Sequence, residues 1–192
     1  MNATERERAE RLPLRTVGVG AAAGAGAYLV GYLVVYLLTA RAYRESLAGR
    51  LLELLTGEPG AWKLVGWTLY DAHAVRSTVP VPFGGRETVS LIGRVDAVPV
   101  ALYLLPVAVL LAAGAAVAIL AAGQGPRRGA VAGATVVAGY LPLAVAGAFL
   151  FAVEVGDGSA GPTLVTAVAL AGLVYPLVLG SLGGALAGTA RS

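Results

Sequence analysis

The chain has 192 residues, of which 57% are hydrophobic and only 13% charged, against roughly 25% charged in an ordinary soluble domain. Its mean hydropathy of +0.77 leaves too little polar surface to coat a water-soluble globule, so lipid is the expected solvent for most of it. The absence of cysteine excludes disulfides, thiol catalysis and Cys-type zinc sites. A net charge of +3 without a basic stripe gives nucleic-acid binding no support.

Residues 1–15 form a polar tail in which Arg6, Arg8, Arg11 and Arg15 alternate with Glu5, Glu7 and Glu10. Thr16 to Ala40 carries no charge. As a helix it reaches about 37 Å, enough for a hydrocarbon core of roughly 30 Å. Ala40 and Ala42 resemble a signal-peptidase site, but the apolar stretch is too long for a signal peptide, so a retained helix is expected. Three further spans, 97–122, 130–153 and 162–188, also lack ionisable side chains. The connections between the last three are short and rich in helix breakers, so these helices must run antiparallel. The expected fold is all-α: a polytopic four-helix membrane bundle with one long extramembrane loop, residues 41–96. Arg in the tail, Arg127, Arg128 and Arg191 put both termini on the cytoplasmic side of the cell membrane and the long loop outside.

Within that loop, Arg41 and Glu45 are four apart, and Leu47, Leu51, Leu54 and Leu55 recur at helical spacing. An amphipathic helix is expected there, stopped by Gly57-Glu58-Pro59-Gly60. A second helix is expected from Trp62 to about Val75. Its Trp and Tyr residues predict that it lies on the membrane surface and caps the bundle, or offers a recognition surface to a partner protein or a lipid. Pro80, Pro82, Gly84 and Gly85 break the next segment, and 88–92 has the composition of a short strand. His73 is the only histidine. With Asp71 and Glu87 it matches no metal-ligand spacing, and an interfacial hydrogen-bonded role is expected instead. No catalytic, cofactor-binding or metal set emerges, so the chain is not expected to be an enzyme.

The spans are free of charge, which argues against proton-coupled transport. They carry small-xxx-small pairs at Gly20/Gly24, Gly129/Gly133, Gly180/Gly184 and Gly184/Gly188, which predict close helix packing within the chain or between copies. Three Tyr–Pro pairs recur: Tyr103 with Pro106, Tyr140 with Pro142, and Tyr175 with Pro176. Each proline frees the carbonyl about four residues earlier, those of Leu102, Ala138 and Gly172. If the kinks share a level, they frame a candidate cavity.

The run Trp62-Lys-Leu-Val-Gly66-Trp67-Thr-Leu-Tyr70-Asp-Ala-His73, ahead of the Tyr103–Pro106 span, has the pattern W-K-x-x-G-W-x-x-Y-x-A-H. It resembles an uncharacterised family of small haloarchaeal membrane proteins, some loosely labelled transporters. The resemblance implies a source and an architecture, and marks Trp62, Gly66, Trp67, Tyr70 and His73 as candidate interaction residues. The expected function is a non-enzymatic accessory or scaffold subunit in the lipid bilayer, with a membrane-protein partner or a second copy. The alternative is a small transporter or channel using the Pro-containing helices.

Overall fold

The computed structural model describes residues 14–57, 60–81, 85–93, 98–121, 124–155 and 158–191. Most of the polar tail, Glu58, Pro59, Pro82 and Gly84 therefore lie outside the described residues. Four helices are long and apolar enough to cross a membrane: α1 (Leu14–Glu45), α4 (Val100–Ala121), α5 (Pro126–Leu150) and α6 (Leu164–Thr189). Two short helices, α2 (Leu47–Thr56) and α3 (Ala61–Ala72), separate α1 from α4. Large apolar side chains such as Leu33, Leu37, Leu120, Phe149, Val165 and Leu186 point away from the bundle. A water-soluble bundle would place charge at such positions.

At one end of the bundle three contacts gather the helix termini. The Thr16 hydroxyl donates to Ala121 O (3.2 Å), Gly125 N to Gly188 O (3.3 Å) and Arg191 Nη1 to Ile119 O (2.9 Å). The start of α1, the end of α4, the start of α5 and the end of α6 thus share one end, called here the terminal end. The opposite end carries α2, α3 and the other described residues between α1 and α4.

Glycine sets how closely the helices approach. A Cβ on Gly129 or Gly133 would overlap the carbonyls of Gly184 and Gly180, and a Cβ on Gly24 would overlap that of Val136. The small-residue pairs seen in the sequence are therefore spent inside the chain: Gly129/Gly133 face Gly180/Gly184, and Gly20/Gly24 face α5 around Thr135 and Val136.

The all-α expectation needs correction. Strands β1 (Ser77–Val81), β2 (Gly85–Val89), β3 (Val153–Val155) and β4 (Gly158–Pro162) form an antiparallel sheet in the order β2-β1-β4-β3. Ser77 pairs with Val89 on one side and Pro162 on the other, and Val153 with Ala160. The sheet ties the long loop to the α5–α6 connection, whose backbone finds hydrogen bonds there after α5 ends.

The three prolines differ in context. Pro106 follows a 3₁₀ turn, Val100–Leu104, in which Leu105 N bonds Leu102 O, so that carbonyl is not left free. Pro176 follows a π-helical stretch, Ala167–Val174, whose wider turns let Tyr175 N reach Leu170 O. Only Pro142 lies inside an α-helical segment.

Gly129→Val should destabilise the protein by about 1–3 kcal/mol through overpacking against Gly184, read as a lower Tm in detergent. Gly26→Val, with nothing within 4 Å of the new Cβ, should leave Tm unchanged or raise it.

Candidate functional site

The residues that stood out in the long loop converge on α3. The expectation that this helix lies on the membrane surface is overturned: Leu64 through Ala72 are buried without exception, Trp67 at 3% and Tyr70 at 1% exposure. The cause is its composition. Leu64, Val65, Trp67, Leu69 and Ala72 point in different directions around the helix, and Gly66 and Thr68 are small. Its polar residues Thr68 and Asp71 find partners on neighbouring segments, so the helix is enclosed by α1, α5 and the start of α4.

Apart from Ala72, which is simply buried, each named residue of the W-K-x-x-G-W-x-x-Y-x-A-H run has a definable contact there. α5 ends at Leu150, leaving carbonyls without intrahelical partners. Trp67 Nε1 donates to Phe151 O at 2.8 Å, and Lys63 Nζ approaches Ala152 O at 3.4 Å. The Phe151 ring sits where a Cβ on Gly66 would be, with Trp62 edge-on at 5.8 Å and Tyr32 stacked on it at 5.5 Å. The Tyr32 hydroxyl donates to Trp62 O (3.2 Å). On the opposite side of α3, the Thr68 and Tyr43 hydroxyls are hydrogen-bonded to each other.

Further along, Tyr70 donates its hydroxyl proton to Ala144 O and receives one from Tyr28 at 3.3 Å. His73, at 1% exposure, bonds Leu69 O through Nδ1 and the Tyr140 hydroxyl through Nε2, both at 2.7 Å. A carbonyl only accepts, so Nδ1 carries the proton and the neutral ring accepts from Tyr140. Burial pushes the imidazole down, to about 4. The rings of Tyr28 and Tyr140 meet edge to face at 5.3 Å, and Tyr175 lies 5.1 Å from His73.

Asp71 was set beside His73 in sequence, but the structure separates their roles. One carboxylate oxygen accepts from Ser90 Oγ (2.7 Å), Leu91 N and Ile92 N (2.9 Å each), pinning the segment that follows β2 to α3. Glu87 is exposed on β2. α3 then closes in a Schellman arrangement: Val75 N bonds Tyr70 O and Ala74 N bonds Asp71 O, with Ala74 left-handed at φ 59°.

Two of the three Tyr–Pro pairs therefore border His73, through Tyr140 and Tyr175. Tyr103 stands apart, 38% exposed near the start of α4, and Pro142 is also exposed. Among the described residues, every fully buried side-chain nitrogen and oxygen has a hydrogen-bond partner, and no group of three or more His, Asp or Glu side chains could hold a metal ion. Phe151, Ala144 and Tyr28 were missed by the sequence reading. The signal for Phe151 was only its place where α5 runs out, opposite a glycine 85 positions earlier in the chain.

The chain belongs to the DUF7978 family, described as a family of unknown function, whose model matches residues 1–191. No curated protein and no solved structure matches it.

Gly66→Ala should lower Tm by driving a methyl into the Phe151 ring, and Phe151→Leu should recover part of that loss in the double variant. Trp67→Phe should cost about 1–3 kcal/mol by leaving Phe151 O without its donor. Both are read by thermal unfolding in detergent.

Proposed function

We propose that this member of the DUF7978 family is an integral membrane protein without enzymatic activity, acting as an accessory or scaffold subunit through lateral contacts. One observation carries the reading: the space between α1, the later part of α5 and the start of α4 is filled by α3, with Tyr28, Tyr70, His73 and Tyr140 bonded to one another or to backbone. Such packing gives rigidity and a fixed outer shape. A transport pathway instead needs polar groups turned toward a water-filled path.

The exposed apolar faces of α1, α4, α5 and α6 support placing these helices across a bilayer. Among the described residues the terminal end carries Arg15, Arg127, Arg128 and Arg191 and no Asp or Glu. The short α5–α6 connection at the other end has Glu154 and no Lys or Arg, and short segments carry the orientation signal, which supports a cytoplasmic terminal end in the cell membrane with α2, α3 and the sheet toward the outside.

A small transporter or channel is the second reading. It is favoured by the meeting of Tyr140 and Tyr175 at His73. Reconstitution separates the two. The scaffold reading predicts that the protein, extracted in mild detergent, runs larger than one chain and adds no solute flux to liposomes. A lone monomer whose flux is lost in Tyr140→Phe would overturn it.

The topology has its own test, since the chain has no native cysteine. A cysteine at Thr88 should react with an impermeant maleimide on intact cells, and one at Arg191 only after the membrane is opened. The reverse pattern would contradict the orientation.

A further inference from the structure

A lateral groove of about 480 Å³ runs along the bundle between α1, α5 and α6. Its floor is a row of small residues on α5, Ala130, Ala134 and Ala138, and its walls include Val17, Leu177 and Ser181. The row exists because alanines recur every four residues on one face of α5, while the flanking helices are held close by Gly20 against Thr135 and Gly133 against Gly180. The lining is almost wholly apolar, in the stretch where these helices are apolar enough to cross a membrane.

The same face of α5 ends in charge. Arg127 precedes Ala130 and Ala134 by three and seven residues, and Arg128 precedes Val131 and Thr135 at the same spacings. Both side chains therefore project from the turn where the groove opens at the terminal end. Both arginines are exposed, and no described Asp or Glu lies at that end. An open apolar groove ending beside two arginines matches the chemistry of a lipid with a hydrocarbon tail and an anionic phosphate head.

We propose that this groove is a binding site for one anionic phospholipid, with an acyl or isoprenoid chain lying over Ala130, Ala134 and Ala138 and the phosphate at Arg127 and Arg128. The site is distinct from the His73 cluster, which packs on other faces of α1 and α5 through Tyr28, Tyr140 and Ala144.

Native mass spectrometry of the full chain in detergent, titrated with dioleoyl phosphatidylglycerol or dioleoyl phosphatidylcholine, tests it. Phosphatidylglycerol should give a saturable adduct of one lipid per chain, and phosphatidylcholine a weaker one. Removing each arginine, as Arg127→Gln or Arg128→Gln, should weaken phosphatidylglycerol binding roughly five-fold. Ala134→Phe should fill the slot and abolish the adduct, with an unchanged circular dichroism spectrum and melting curve showing that the fold survives. If Ala134→Phe unfolds the protein, Ala130→Leu and Ala138→Leu, near either end of the row, serve as the second set. Equal binding of both lipids, unsaturable binding, or unchanged binding in the arginine and groove variants would overturn the proposal. So would a dimer that Ala134→Phe dissociates, since a second copy would then be the occupant.

Discussion

The fold depends on how α5 ends. A long apolar helix that stops inside a packed structure leaves carbonyls that neither its own backbone nor water can satisfy. Here α3 supplies the donors, with Trp67 on Phe151 O and Lys63 near Ala152 O. Gly66 makes the approach possible by leaving room for the Phe151 ring. With that contact in place, Tyr70 reaches Ala144, His73 reaches Tyr140, and Asp71 holds the segment that follows β2. The sheet then closes the same end, because β1 leaves α3 within five residues and pairs with β4 beside the start of α6.

Two kinds of closeness hold the assembly together. Between the long helices it is backbone against backbone, through glycine and alanine, where there is little side chain to interlock and small-residue complementarity determines the spacing. Around α3 it is side chain against backbone, through aromatic rings with one polar atom each. Tyr and Trp suit that position because a large apolar surface and a single hydrogen bond are satisfied together. The polar groups at the centre serve packing: each has a partner, and the partner is often a main-chain carbonyl of α5 or α3 itself.

The four long helices were legible in the sequence because charge-free stretches of more than 20 residues have few other uses. The glycine pairs were legible as close-packing faces, though which helix each would meet was not, since a motif carries no partner label. The position of α3 was misread for a specific reason: Trp62, Trp67 and Tyr70 in a 12-residue helix have the composition of a membrane-surface segment. What decides between surface and interior is whether the polar residues of the helix find partners inside the protein, as Thr68 does at Tyr43 and Asp71 at Ser90, Leu91 and Ile92. The sheet was only half visible. Gly85–Val89 overlapped a recognisable strand composition, but β3 and β4 hold only eight residues, two of them glycine and one proline. β3 pairs with β4 beside it, but β4's second partner, β1, lies about 80 residues away in the chain, where local propensity has no reach. Within the candidate site, the residues of the W-K-x-x-G-W-x-x-Y-x-A-H run were identifiable and the surface they dock on was not.

The measurement that bears most directly on this account is a cysteine scan of α3, made clean by the absence of native cysteine. Single cysteines at Leu64, Val65, Trp67, Leu69 and Tyr70 sample the helix on all sides and are all buried. The account predicts that every one reacts slowly with N-ethylmaleimide in the folded protein and rapidly after denaturation. A reactive face recurring every three to four residues would mean that α3 lies on the surface, and would contradict the docking on which the rest of the structure is built.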